Sequence, residues 1–228
     1  MRHVCLPYLT LFAALLFLSS CKPKTEPAPV TNISSTLSFS TNPSGNLQVG
    51  YSAGSTLDVN QFQLCGYADV SHVIGIWHPG MGSSAYYPYT GQNNTDSAQL
   101  DPTASWAARP GEVVMEGSNT GQYSMLRFTA PAAGNYKVKV IFEGVHFRLS
   151  TTDVHVLLNN QSLFADSISG YGGDPLFHAI QGARPSVTYS DTVHLSMSDV
   201  VTFAVGYGSD NTNYNDTTGL LIVLELVG

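Results

Sequence analysis

The sequence predicts an all-β protein: a single antiparallel β-sandwich over residues 47–228, carried behind a signal peptide and a flexible tether. Three observations predict it. Residues 121–144, GQYSMLRFTAPAAGNYKVKVIFEG, alternate with period two, the mark of half-buried strands. No stretch after the leader repeats apolar residues at helical spacing over a helix's length. About ten short strand-like runs, each bounded by Gly, Pro, Asn or Ser, are instead the pattern of a sandwich. The composition agrees. Charged residues make up 11% of the 228, against about 25% in ordinary domains; Ser, Thr, Asn, Gln, Gly and Tyr take their place, as in extracellular β proteins. The net charge is −7, and its few Lys and Arg are scattered singly. That excludes the basic footprint of a nucleic-acid binder and a basic membrane-docking patch.

Taken in order, the chain opens with a signal peptide over 1–20. Met1-Arg2-His3 is a basic start, and Val4 to Leu18 is an apolar core too short to span a membrane. Leu18-Ser19-Ser20-Cys21 resembles the bacterial lipobox, in which small residues precede a Cys that becomes the lipidated first residue of the mature chain. The resemblance implies acylation of Cys21, a membrane held through N-terminal lipid, and a lipoprotein of the bacterial cell envelope, periplasmic or surface-exposed. Several acyl chains anchor far better than one, since each buried CH₂ contributes about 0.8 kcal/mol. Residues 21–46 are Pro-, Ser-, Thr- and Asn-rich and are expected to be a disordered tether. With Cys5 removed and Cys21 acylated, only Cys65 is left. A lone thiol makes no internal disulfide, and Cys65 is expected to be a small buried apolar residue.

Within the domain, Leu47–Tyr51, Phe62–Cys65 and Val73–Trp77 read as short strands. Residues 78–110 are irregular and aromatic, with Tyr86, Tyr87, Tyr89 and Trp106; loops this long are functional or poorly ordered. Glu112–Met115 leads into the alternating stretch. Its first arm sets Tyr123, Met125 and Arg127 against Ser124, Leu126 and Phe128. Its second sets Tyr136, Val138, Val140 and Phe142 inward against Lys137, Lys139, Ile141 and Glu143. Ala130-Pro131-Ala132-Ala133-Gly134 turns between them, so the arms are expected to pair as a hairpin. Thr152–Asn159 and Gln161–Phe164 read as a second hairpin around Asn159-Asn160, since Asn tolerates positive φ. A Gly-rich loop, 170–175, follows. Val187–Met197 and Val200–Tyr207 are strands, a polar run occupies 208–216, and Leu220–Val227 closes the chain.

The GQYSMLRFTAPAAGNY segment, TTDVHVLLNN, SMSDVVTFAVGYG and the terminal DTTGLLIVLEL resemble a jelly-roll domain found in secreted bacterial proteins, often with a C-terminal sorting anchor. The resemblance covers most of residues 43–228 and implies a jelly-roll-like sandwich, similar in build to carbohydrate-binding jelly rolls. Here the lipobox would place the attachment at the N-terminus instead.

Candidate sites follow from chemistry. Trp77, Tyr86, Tyr87, Tyr89 and Trp106 are flat amphipathic rings of the kind that stack on sugar C–H faces; for the two Trp, a place in the core is favoured, since large aromatics usually serve burial. Asp210, Asn211, Asn213, Asn215 and Asp216 put five oxygen-bearing side chains in one loop, and Ca²⁺ takes six to eight such oxygens. The loop lacks the spacing of an EF-hand, and Asx residues also populate metal-free turns. Asp153 and His155 share a strand face and read as a satisfied pair. Glu112, Glu116 and Glu143 could supply a glycosidase's two carboxylates, though strand acids are more often structural. No nucleophile elbow, zinc-protease motif or phosphate loop is present. The expectation is a non-catalytic module for glycan, with an adhesion module contacting surface proteins or a small glycan hydrolase as alternatives.

Overall fold

The computed structural model describes residues 30–31, 37–71, 74–80, 86–173 and 181–227. The signal peptide, Cys21, most of the expected tether, and residues 81–85 and 174–180 of the loops lie outside them. In chain order the strands are β1 (Val30–Thr31), β2 (Leu47–Ser52), β3 (Phe62–Leu64), β4 (Tyr67–Asp69), β5 (Gly75–His78), β6 (Tyr89–Gln92), β7 (Gln99–Leu100) and β8 (Ala107–Ala108), then β9 (Val113–Glu116), β10 (Ser124–Thr129), β11 (Gly134–Gly144), β12 (Asp153–Leu158), β13 (Gln161–Ser167), β14 (Ser186–Leu195), β15 (Val200–Val205) and β16 (Thr218–Val227). Among the described residues there is no α-helix.

All ladders are antiparallel. The larger sheet runs β14-β11-β16-β9-β6-β5-β4, and the smaller β13-β12-β15-β10-β2-β3. From β9 onward the chain crosses the sandwich at every connection except β12–β13. This order of alternation, β14-β11-β16-β9 facing β13-β12-β15-β10, is that of a jelly roll. Strands β4 to β6 extend one sheet beyond it, and β2 and β3 extend the other.

The expected hairpin of the two alternating arms does not form. Strand β10 pairs with β15 and β2, and β11 pairs with β14 and β16, in the opposite sheet. The reason lies in the faces. Leu126 and Phe128 of β10 and Tyr136, Val138, Val140 and Phe142 of β11 all belong to one core between the sheets. A hairpin would lay both apolar faces on the same side of one sheet; an arch sets them against each other. The turn's backbone bonds outward accordingly: Thr129 N–H donates to Asn46 O at 2.9 Å and Ala130 N–H to Asp199 O at 2.8 Å, while Ala130 O accepts from Ser198 N–H at 2.9 Å. The expected strand faces do hold, with Val138, Val140 and Phe142 fully buried and Lys137 and Lys139 exposed. The hairpin at Asn159 also forms, with Asn159 at φ 55° and Leu158 opposite Gln161.

Residues before Leu47 also pack on the sandwich. Leu37 is in the core, Phe39 stacks on Trp77 with ring centroids 6.4 Å apart, and the Asn42 amide holds β2 through Val49 N–H and C=O at 2.9 and 2.7 Å. Farther back, β1 pairs with Leu224 and Glu225 of β16. Cys65 is buried and free, and burial pushes its thiol up to about 12.

A second apolar layer covers the outer face of the larger sheet. Val113 and Met115 face the inter-sheet core, while Val114 packs outward with Ile74, Ile76, Tyr89, Trp106, Ala108 and Val145. The segment carrying the short β7–β8 ladder supplies Trp106 and Ala108 to that layer. Ile74, Ile76, Tyr89 and Trp106 of this layer also border a cavity.

Candidate functional site

A cavity of about 1110 Å³ lies on the outer face of the larger sheet, at the ends of β5, β6 and β9. Its wall is aromatic: Tyr86, Tyr87, Tyr89 and Trp106. Its other sides carry Asp101, Glu116, Gln122, His146, Asn213 and Thr217, with Asn119, Thr120 and Tyr214 toward the solvent. Two stretches that the sequence presents as separate candidates, the aromatic 86–106 region and the 213–215 part of the polar loop, therefore line one space.

Glu116 forms the floor. Tyr89 of β6 and Glu116 of β9 are cross-strand partners, so their side chains stand on the same face. Thr217 comes from the residue just before β16, which continues the sheet past β9. The Glu116 carboxyl accepts from Thr217 Oγ1 at 2.6 Å, Tyr89 OH at 3.0 Å and Asn213 Nδ2 at 3.3 Å. Burial nonetheless pushes it up to about 8: removal from water outweighs the three donors, and nearby Asp216 adds to the rise. At neutral pH this floor is largely a protonated acid.

The aromatic wall is self-supporting. Tyr86, Tyr87 and Tyr89 pack with centroids 5.4 to 5.6 Å apart, in edge and tilted contacts. Tyr89 is 2% exposed and Tyr87 38%, so Tyr87 is the ring that offers a face to a ligand. Trp106 is presented by a tight turn built on Asp101. Asp101 Oδ1 accepts from Ser105 and Trp106 N–H, and Oδ2 accepts from the Thr103 N–H and hydroxyl. Trp106 also bridges to His146 across the backbone, and burial pushes the His146 imidazole down.

Trp77 does not join them. It faces the inter-sheet core, 6% exposed, with Nε1 donating to Ser38 O at 2.8 Å. The step from Ile76 to Trp77 in β5 exchanges the two faces of the sheet.

The five residues of the polar loop have different partners. Asp210 is exposed and caps its own turn, accepting from Thr212 N–H at 3.0 Å. Asn211 and Asn215 take positive φ, 57° and 72°. Asn213 donates to Glu116. Asp216 is fully buried: Oδ1 accepts from Thr151 N–H at 2.8 Å, whereas Oδ2 has no hydrogen-bond partner. Burial, with Asp210 nearby, pushes Asp216 up to about 7. Among the described residues no group of three or more His, Cys, Asp or Glu side chains is placed to hold a metal.

The three glutamates divide. Glu116 lines the cavity, while Glu112 and Glu143 are buried together beside Arg109. Arg109 N–H donates to Glu112 at 2.7 Å, Nη1 to Glu143 at 2.6 Å, and Nη2 to the carbonyls of Gly172 and Gly173. Burial and the Glu143 carboxyl hold Glu112 well above the usual carboxylate range. Asp153 and His155 are paired at 2.7 Å as expected, and Tyr123 OH donates to the same carboxylate at 2.7 Å.

No protein-family model and no curated protein matches the chain. Solved structures share its strand arrangement loosely. A family 51 carbohydrate-binding module from Clostridium perfringens, in complex with methyl-galactose, superposes with TM-score 0.33 and 10% identity over 57% of this chain and 80% of that one. A β-glucosidase from Kluyveromyces marxianus in complex with glucose gives TM-score 0.34 and 12% identity over 85% of this chain and 18% of the enzyme. A cleaved adhesin domain of Lys-gingipain from Porphyromonas gingivalis gives 0.29 and 16% over 54% and 85%. Superpositions this loose leave the ligand to be argued from the cavity alone.

Proposed function

We propose that the protein is a lipid-anchored component of a bacterial cell envelope whose β-sandwich binds a glycan, without catalysis, in the cavity on its larger sheet. One observation carries the binding reading. An exposed Tyr87 ring, backed by the largely buried Trp106, stands against amides, hydroxyls and a carboxyl across a single 1110 Å³ space. Sugars need that combination, because their ring C–H faces stack on aromatics while their hydroxyls need donors and acceptors. The anchor rests on Leu18-Ser19-Ser20-Cys21 alone.

Two carboxyl groups line the cavity, which raises the hydrolase reading. Glu116 carries a general acid's proton at neutral pH. Asp101 is a poor second member, since both of its oxygens hold the 101–106 turn that presents Trp106. Binding without turnover is therefore preferred. The adhesion reading draws on one feature, the exposed Leu64, Tyr67 and Val70 at the β3–β4 edge. Calcium enters the proposal at one atom, Asp216 Oδ2, a buried oxygen with no hydrogen-bond partner from the protein.

A glycan array probed with the full chain tests the binding reading. Hits that weaken at least about ten-fold in Tyr87→Ala are expected of a ring that anchors a ligand. Products released from any hit would make the protein a hydrolase; no hits would remove the glycan reading. Cys21→Ser should move the protein out of the membrane fraction, and unchanged partition would remove the anchor.

A further inference from the structure

Building on the proposed glycan-binding cavity, we infer that its ligand is a glycan free of anionic groups: no uronic or sialic acid, no sulfate, no phosphate. The inference comes from where the chain places its cations. It has nine Lys and Arg in all, and none of the six among the described residues lines the cavity. Arg2 lies in the leader, and Lys22 and Lys24 in the tether region. Arg109 is committed to Glu143 and to the carbonyls of Gly172 and Gly173. Arg127 lies over the Phe62 ring in the smaller sheet, 4.4 Å from its centroid. Arg184 pairs with Asp166. Lys137 and Lys139 are exposed on β11, and Arg148 is exposed beyond His146. The stretches 72–73, 81–85 and 174–180 contain no Lys or Arg in their sequence.

The groups that do line the cavity are acids, amides, hydroxyls and one imidazole. Asp101 presents a carboxylate whose oxygens already accept from four donors. Glu116 sits at the floor, and in neither protonation state does it offer an anion a counter-charge: ionised it repels, protonated it is neutral. His146 is held toward its uncharged form by burial, which outweighs the opposing pull of Asp101. A sugar carboxylate entering this space would lose water and meet no Lys or Arg in its lining, with Arg148 exposed outside it, a combination that costs far more than burying a hydroxyl. The cavity thus discriminates by leaving one partner type unpaired, a form of specificity that needs no extra contact to the preferred ligand.

Matched sugars test this. The full chain is titrated at neutral pH with oligosaccharides of galactose and glucose and with their galacturonate and glucuronate counterparts, which differ only in the oxidation of C6. The neutral members should bind at least ten-fold more tightly. Asn119→Arg, on the exposed rim of the lining, should raise affinity for the uronates relative to their neutral partners several-fold. Uronates bound as well as their neutral partners would overturn the inference while leaving glycan binding intact. So would a discriminating wild type whose Asn119→Arg variant gains nothing, because charge would then not be the cause. Binding of neither class, there or across an array of neutral and acidic glycans, would overturn the glycan reading itself.

Discussion

Replacing Glu116 with Gln should change how stability depends on pH more than it changes stability itself. The carboxyl is buried at the cavity floor and is pushed up to about 8, from 4.5 in an exposed chain. The sign follows from which state holds the proton. Below about 4.5 both folded and unfolded chains are protonated and the group's contribution is fully present. Between 4.5 and 8 the unfolded chain gives up its proton and the folded one keeps it, so stability falls as pH rises; above 8 the loss is complete. One proton over one pH unit is worth about 1.36 kcal/mol, so the full window is worth about 5 kcal/mol at most. Glu116→Gln removes this dependence while the other raised acids, Glu112 and Asp216, stay in both proteins and largely cancel. Guanidinium unfolding of both proteins, followed through the two Trp, gives the comparison from pH 5 to pH 8. The variant should gain about 3–4 kcal/mol on the wild type across that span. The lost or reoriented hydrogen bonds to Tyr89, Thr217 and Asn213 add an offset that does not vary with pH. A difference that is flat with pH would mean that those three donors outweigh burial and that Glu116 is an ordinary carboxylate.

Other outcomes follow from the packing. Phe142→Ala, at a fully buried ring between the sheets and stacked on Phe164, should cost roughly 3–5 kcal/mol. Lys139→Ala on the opposite face should cost little; equal losses would refute the strand register. Trp77→Ala should destabilise by a similar 3–5 kcal/mol through lost core packing. In the folded fraction it should leave glycan affinity within about two-fold of wild type, and a selective loss of binding would return Trp77 to the site. Melting in millimolar Ca²⁺ should exceed melting in chelator by several degrees if Asp216 Oδ2 takes the ion, the gain being about 2.7 kcal/mol at a hundred-fold excess over Kd. Coincident melts would remove the calcium reading.

How far the sequence could be read depended on whether a strand has a wet face. Strand β11 announces its register because Lys137 and Lys139 alternate with Val138, Val140 and Phe142. In β5 and β6 every residue is buried, since the second apolar layer covers the face that would otherwise be polar. Alternation disappears there, and nothing local distinguishes Ile76, facing the cavity, from Trp77, facing the core. The tyrosines of the site were legible because 86, 87 and 89 are near neighbours in sequence. Glu116 was visible only as one of three strand acids, since its place beside Tyr89 is a matter of long-range register. The polar loop read as one cluster, yet positive φ at Asn211 and Asn215 turns its side chains toward unrelated partners. The hairpin expectation failed on topology: alternation states which face is apolar, not which sheet receives it.

The crossing connections also bear on how the molecule is reached from an unfolded chain. Only β12–β13 closes a local ladder within the eight-strand frame; every other neighbour in that frame is recruited from a distant part of the sequence. Strand β16, at the C-terminus, lies between β11 and β9 and is also the partner of β1. The larger sheet therefore has a gap at its centre until β16 arrives, and no fragment lacking β16 can complete the core. Such a topology belongs to the slow regime of milliseconds to seconds, where loop closure precedes the contacts that reward it. A chain emerging N-terminus first would have to remain open until Val227 is free, and the cavity, whose floor joins β6, β9 and the approach to β16, would be among the last features to exist.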